Sequence, residues 1–452
     1  MRSLSCSLVI GRHRPNCSQI INHKSSIINS RPSFAEAFRF WLKLGFISFG
    51  GPAGQIAIMH AELVERRKWI AEDRFLHALT YCMLLPGPEA TQLATYIGWL
   101  LHRTWGGIVA GTLFVLPSVF ILWALSFVYA KFGNLPWVAS LFYGLKPAVL
   151  AIVAAAVIRI GKKALQNEVM WALAALAFVA IYFFRVPFPV IVISAGLIGL
   201  LGGRLWTEKF LVIAHKTENV VVPPEHTKPS FTRAVKVLAA CLALWCGPLL
   251  LAGSLLGWQH TILREGLFFS KAAMVTFGGA YAVLPYVSQE AVEKYQWLSA
   301  TQMLDGLGLA ETTPGPLIMV LQFVGFLGAW HNPGHLHPLL AGTLGALMTT
   351  WTTFVPCFLW IFLGAPHIEQ LHGNRALTTA LSAVTAAVVG VILNLAIWFG
   401  VHVLFPAPRQ IDWFAVGLSA GIFAGLVKWN WNVVPVILAS GVLGLVYRFV
   451  LR

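Results

Sequence analysis

Charge is what this chain has least of. Asp, Glu, Lys and Arg make up 11% of its 452 residues, against roughly 25% in a typical soluble domain, which excludes a soluble enzyme. Aspartate is rarest, at Asp73, Asp305 and Asp412 alone, so any acid inside an apolar run stands out. Cysteine is sparse as well: Cys6, Cys17, Cys82, Cys241, Cys246 and Cys357 form no C-x-x-C pair. Neither a disulfide framework nor a zinc site is supported. The alternating ten-residue strands of a membrane barrel are missing too, because runs such as Gly107 to Ala130 and Thr378 to Phe405 are apolar all round. Residues 1–33 lack Asp and Glu, and their only apolar run, Leu8 to Ile10, is too short for a signal-peptide core.

Apolar sequence is what the chain has in abundance. Hydrophobic side chains make 58% of it, and the mean hydropathy is +0.73. A bilayer core of about 30 Å needs about 20 apolar residues per helix, or roughly 35 with a loop, which leaves room for about 13 segments. The fold class expected is an all-α polytopic membrane protein. The net charge of +15 does not indicate nucleic acid, because the bases sit in short loops between apolar runs, where they set orientation. The basic segment 1–33 reads as a disordered arm, with an organellar transit peptide as the alternative. His331, His335 and His337 cluster in one loop, but no acid or cysteine accompanies them, so a polar connection is favoured over a metal site.

A repeat organises the chain at a fixed offset of 228 residues. Lys43-Leu44-Gly45-Phe46-Ile47-Ser48-Phe49-Gly50-Gly51 lies over Lys271-Ala272-Ala273-Met274-Val275-Thr276-Phe277-Gly278-Gly279. The register continues without a gap through Glu62/Glu290, Glu65/Glu293 and Trp69/Trp297 to Pro86-Gly87-Pro88 over Pro314-Gly315-Pro316. Residues 43–88 give 13 identities in 46 pairs, dominated by Gly, Pro, Trp and charged residues rather than by Leu and Ala. The expected parts are the arm 1–33, a first repeat 34–205, a linker 206–234, a helix 235–262 and a second repeat 263–452.

The linker is rich in Lys and Arg, as are Arg66-Arg67-Lys68 and the stretch from Arg159 to Lys163, so all three are expected on the cytoplasmic side. The second copy of the first loop, Glu290 to Trp297, keeps only Lys294. The two repeats are therefore expected in opposite orientations, the single helix after the linker supplying the inversion. Each repeat is broken twice by Gly and Pro. Pro inside a helix costs about 3 kcal/mol or more, and Pro-Gly-Pro cannot continue one, so each break is a turn. The broken segments are expected to enter and leave by the same face as four helical hairpins, beside about nine full spans, with full crossing of each segment as the alternative.

Backbone outside a helix at membrane depth is tolerated only where protein or a wet cavity satisfies it, so such breaks mark a transport site. Pro52 and Pro88 stand where a first helical residue is expected, and the helix starts behind them direct unpaired N–H groups at an anion. Gly50, Gly51, Gly87, Gly278, Gly279 and Gly315 let a ligand approach the backbone. Lys43 and Lys271, two turns before Gly50 and Gly278, are candidates for full positive charge, against a snorkelling role. Ser48 and Thr276 pair as hydroxyls beside the breaks, and Gln55, Thr91 and Gln92 are donors found only in the first half. Pro86, Pro314 and Pro316 complete the candidate substrate site. Glu89, Asp305 and Glu311 are candidate proton carriers, because acids at membrane depth are costly. For Glu89, helix capping competes with that role.

These motifs resemble the signature of the chromate ion transporter family. The residues that carry the resemblance are Phe46-Ile47-Ser48-Phe49-Gly50-Gly51-Pro52, the loop with Glu62, Glu65 and Trp69, and Leu85-Pro86-Gly87-Pro88 with Thr91 and Gln92. Thr276-Phe277-Gly278-Gly279 and Thr312-Thr313-Pro314-Gly315-Pro316 are similar to the second half of its long, two-domain form. The resemblance implies a bacterial inner-membrane protein that exports chromate, a tetrahedral dianion like sulfate, on the proton-motive force and confers chromate resistance. Its expected partners are that oxyanion, protons and the lipid bilayer, with a homodimer as an open possibility. No cofactor, metal or catalytic residue is expected. A sulfate uptake carrier or an anion channel is the alternative. Ala280 stands where the first half has Pro52, and Gln55 and Gln92 have no second-half counterparts, so the half-sites need not be equivalent.

Overall fold

Ser33 starts the first helix. Its hydroxyl accepts the Glu36 N–H at 3.2 Å, satisfying one of the free donors at a helix start, and α1 runs over Phe34–Ile47. The computed structural model describes residues 32–49, 51–210, 230–367, 375–406 and 410–450, which are helical with no β-strand among them. The basic arm up to residue 31, Gly50 and linker residues 211–229 lie outside the described residues.

After a turn at Ser48 the chain reverses into α2, Gly51–His60, and a π-helical turn, Ala61–Arg66. It returns beside its own start. Arg67 reaches the Glu36 carboxylate at 3.6 Å, and the Trp69 ring stands 5.2 Å from that of Phe40. α1 and α2 thus form a hairpin. α3, Glu72–Leu84, ends at the Pro86-Gly87-Pro88 turn, and α4, Glu89–Phe132, follows. α4 is two helices in sequence, because His102 and Arg103 leave helical geometry, Arg103 with φ +57°. The legs fold back on each other through Gly98 and Gly106, where a side chain on either would strike the other's carbonyl. Small residues allow this approach, as they do between membrane helices generally. His102 also bonds the Pro32 carbonyl at 3.0 Å, returning this hairpin to the end where α1 begins.

Four helices complete the passage to the second repeat: α5 Pro136–Ala164, α6 Glu168–Tyr182, α7 Phe188–Leu205 and, beyond the linker, α8 Phe231–Leu256. α8 begins at Phe231, ahead of the Val235 expected, with the Arg233 guanidinium 5.2 Å over the Trp99 ring. Its far end leads to His260, 3.4 Å from the Pro333 carbonyl.

The second repeat rebuilds the first. α9 spans Thr261–Val275, α10 Ala280–Gln289, and a π-helical turn Glu290–Lys294 follows. α11, Ala300–Thr312, has the bounds of α3 shifted by 228 residues. Its start is fixed by a capping box between Ser299 and Gln302. Trp297 packs on Phe268 at 5.7 Å, the counterpart of Trp69 on Phe40. The second tip leads through a 3-10 turn, Leu317–Met319, into α12, Val320–His331. α13 Pro338–Gly364, α14 Arg375–Leu404, α15 Trp413–Lys428 and α16 Val433–Val450 follow. Six of the described helices are long and apolar enough to cross a membrane. Of the histidines in the loop before α13, His331 bonds the Trp297 carbonyl at 3.3 Å. His337 caps α13 by accepting the Leu339 N–H at 3.3 Å.

Candidate functional site

The four hairpin tips meet in two pairs inside the molecule. Gly87 needs φ +121° and Gly315 φ +110°, Gly51 +70° and Gly279 +89°, conformations that L side chains rarely adopt and that glycine takes without strain. Gly87 donates its N–H to the Thr276 carbonyl at 2.7 Å, and Gly315 donates to the Ser48 carbonyl at 2.8 Å. The two bonds are equivalent under the 228-residue register, and each joins one repeat to the other. Gln55 reinforces one of them: its side-chain amide donates to the Gly315 carbonyl at 2.6 Å. Gln92 stays within its own tip, donating to the Pro86 carbonyl at 2.8 Å. Both glutamines are buried with the side-chain oxygen unpartnered.

Two acids lie beside these tips, and a third sits further back on α11. Glu89 opens α4, and a methyl built on Gly279 would lie 3.4 Å from its Oε1, so its carboxyl reaches the tip of the other repeat. Asp305 on α11 accepts the Tyr129 hydroxyl at 2.8 Å and stands 3.7 Å from the Lys146 ammonium. Glu311, one turn from the second Pro-Gly-Pro, accepts the Tyr281 hydroxyl at 2.5 Å. Arg159 lies 6.0 Å over that Tyr281 ring. Two bases on α5 thus stand near two acids on α11, and opposite charge with hydrogen bonding is what makes buried carboxylates tolerable.

A family model for the chromate transporter matches residues 35–200 and 264–445, two segments that coincide with the two repeats. The chain is 30% identical to the chromate transport protein of Cupriavidus metallidurans over 92% of its own length and 94% of that protein's. It is 32% identical to the chromate transport protein of Pseudomonas aeruginosa over 91% and 92%. An uncharacterized transporter of Methanocaldococcus jannaschii is 27% identical over 92% and 94%. No solved structure matches the chain.

The chain belongs to the chromate transporter family. It is a multi-pass membrane protein in the two-domain form of that family, and its relatives are named as transporters.

Within this family member, some expected site residues converge and others do not. Gly51, Gly87, Gly279 and Gly315, with Ser48, Gln55, Gln92 and Thr276, belong to the crossing. Pro86, Pro314 and Pro316 shape its tips. Thr91 is buried beside them with its hydroxyl unpartnered. Gly278 shares the α9–α10 tip at φ +83°, while Gly50 lies outside the described residues. Pro52 is the second residue of α2 rather than its first. Pro88 precedes α4 in extended geometry, φ −72° and ψ 105°, so Glu89 takes the first helical place.

Lys43 and Lys271 are both exposed, and among the described residues neither has a hydrogen bond or ion pair to the tips. Ser48 and Thr276 spend their hydroxyl protons on their own helices, donating to Leu44 and Ala272 carbonyls at 2.6 Å each. That back-bonding is the ordinary fate of a helical hydroxyl.

Sequence reasoning passed over Lys146, Tyr129 and Tyr281, and read Arg159 as part of a cytoplasmic stretch although it lies inside α5. A signal for Lys146 existed: it is the one base between Pro136 and Val157 in an otherwise apolar run, and a lone base inside a span is a functional flag. Glu265 on α9 was passed over as well. It is fully buried with both oxygens unpartnered, against Gly328 and Gly345, where a side chain would collide with its carboxyl.

Proposed function

We propose that this chain is a secondary transporter that exports chromate across the bacterial inner membrane, exchanging it for protons and so giving resistance to chromate. The observation that carries the reading is the reciprocal pair of hydrogen bonds between the tips, Gly87 to Thr276 and Gly315 to Ser48. Each bond occupies a main-chain donor that an oxyanion would otherwise take. Parting one pair frees donors toward one face while the other pair stays closed, which is the requirement of alternating access around a central site.

The inverted arrangement of the repeats is supported by what lies at each end of α8. Arg233 at its start meets Trp99, next to the His102 turn and the first hairpin's open end. His260 beyond its finish meets Pro333, next to His331 and the Trp297 loop of the second. The α6–α7 turn sides with the latter, because Arg185, Glu290 and Lys294 line one cavity of about 230 Å³.

Glu89, Asp305 and Glu311 are the proton carriers in this reading. Chromate as substrate follows the names of the relatives, and export is what the family resemblance implies; the site chemistry itself calls for a compact oxyanion. Counterflow of labelled chromate and sulfate in proteoliposomes tests it. The expected outcome is exchange of chromate that an opposing pH gradient accelerates, with Glu89→Gln or Glu311→Gln retaining exchange and losing the response to pH. Sulfate exchange alone would favour the uptake carrier, and flux without counterflow would favour a channel.

A further inference from the structure

The two spans that receive the tips carry a second repeat. Leu116-Pro117-Ser118 on α4 lies over Val355-Pro356-Cys357 on α13 at an offset of 239. The difference from 228 lies in the connection between the two legs, where the loop 332–337 and longer helix ends replace the break at His102 and Arg103. The geometry follows the same pairing. A methyl built on Gly315 would lie 2.6 Å from the Ser118 Cβ and 3.0 Å from its Oγ, and one on Gly87 would lie 3.1 Å from the Cys357 Sγ. Each Pro-Gly-Pro tip is therefore seated against the opposite repeat at equivalent positions, on a hydroxyl in one case and a thiol in the other.

Ser118, like Thr91, differs from most of the buried hydroxyls nearby. Ser48, Thr95, Ser126 and Thr276 all donate to the carbonyl four residues back. Ser118 is 1% exposed, and its Oγ has no partner. A buried polar group without a partner needs an explanation, and a ligand that completes it is one. A tetrahedral oxyanion offers only acceptors, and the Gly315 N–H beside Ser118 is held meanwhile by the Ser48 carbonyl at 2.8 Å.

We propose that Ser118 is an oxyanion-binding residue of the second tip. When Gly315 parts from Ser48, its N–H and the Ser118 hydroxyl converge on one oxygen of the transported anion. Cys357 supplies the first tip with a thiol, a weaker donor, so the two half-sites differ in affinity and the one at Ser118 is the tighter. This rests on the oxyanion-transport reading and names a donor within it.

The test is oxyanion counterflow in proteoliposomes, with chromate and with sulfate, for Ser118→Ala, Ser118→Thr and Cys357→Ser, alongside the melting midpoint of each purified protein. Losing one hydrogen bond to a charged ligand should raise the half-saturating concentration of Ser118→Ala by about tenfold, with the maximal rate and melting midpoint little changed. Ser118→Thr, which keeps the donor, should recover most of the loss, and Cys357→Ser should lower the half-saturating concentration. An unchanged half-saturating concentration in Ser118→Ala, or a loss confined to maximal rate and melting midpoint, would mean that Ser118 only packs the tip, and overturns the assignment. A parent protein that moves no oxyanion overturns the transport reading and the assignment together, so the two failures are distinguishable.

Discussion

The main-chain N–H of Gly315 meets the carbonyl of Ser48 at 2.8 Å, and the same contact one repeat away joins Gly87 to Thr276 at 2.7 Å. Residues far apart in the chain are thereby joined through main-chain hydrogen bonds. Side chains at Ser48 and Thr276 can vary without breaking the bonds, but the two glycines cannot, because only their left-handed backbone presents the N–H across the gap.

Gly87→Ala and Gly315→Ala should therefore impair transport far more than folding. Holding a non-glycine residue in such a conformation costs roughly 1–3 kcal/mol, and the added methyl meets Gln92 and Cys357 at 3.0 and 3.1 Å in one case and Ser118 in the other. Membrane insertion at parental levels with flux reduced at least tenfold is the expected result. Normal flux in both would show that the tips merely pack.

Lys146 and Asp305 should behave as a pair. Asp305 is buried while the Lys146 side chain is 23% exposed, so removing one partner costs less than the roughly 3–5 kcal/mol of a fully buried pair, and Lys146→Met and Asp305→Asn should each still lower the yield of folded protein. The double substitution should restore much of it. Chromatographic monodispersity and melting midpoint in detergent read the effect, and additive losses in the double variant would refute the coupling.

Single cysteines report the orientation of the repeats. An impermeant thiol reagent applied from outside intact cells should label Lys294→Cys and Arg185→Cys, and should leave Lys163→Cys and Arg67→Cys unlabelled, in a background without native cysteines. Equal labelling at Arg67 and Lys294 would rule out inversion.

The two equivalent loops should respond to pH in opposite directions. Partial burial alone would raise the Glu62 carboxyl, but its bonds to Arg66 at 2.6 Å and Arg67 at 3.4 Å prevail, and its pKa lies below the ordinary value. A depressed carboxyl contributes stability above its unfolded pKa and loses it as pH falls through the folded one. Lys294 is raised above its ordinary value by its hydrogen bond to Glu290. Its contribution is complete below the unfolded pKa and fades as pH rises through the folded one. The penalty of Glu62→Gln on the melting midpoint should accordingly shrink in acid, and that of Lys294→Gln should shrink in base. A penalty independent of pH would show that neither charge matters.

The sequence determined by itself that the chain is helical, apolar, doubled and broken at fixed places. These properties are local: hydropathy is read residue by residue, Pro-Gly-Pro excludes a helix through its own covalent geometry, and the offset from Lys43 to Lys271 is visible in the string. Tertiary structure decided what the breaks do. Ser48 and Thr276 look like free donors in sequence, but a carbonyl one turn back takes each proton, while Ser118, unremarked in sequence, keeps its own unspent. Lys43 and Lys271 fall two turns from the breaks, yet helix packing leaves them exposed. The bases that stand near Asp305 and Glu311 are Lys146 and Arg159, in a different helix. Which of two distant residues meet depends on how helices rotate and cross, and that is set by the sum of all their contacts rather than by any spacing within one of them.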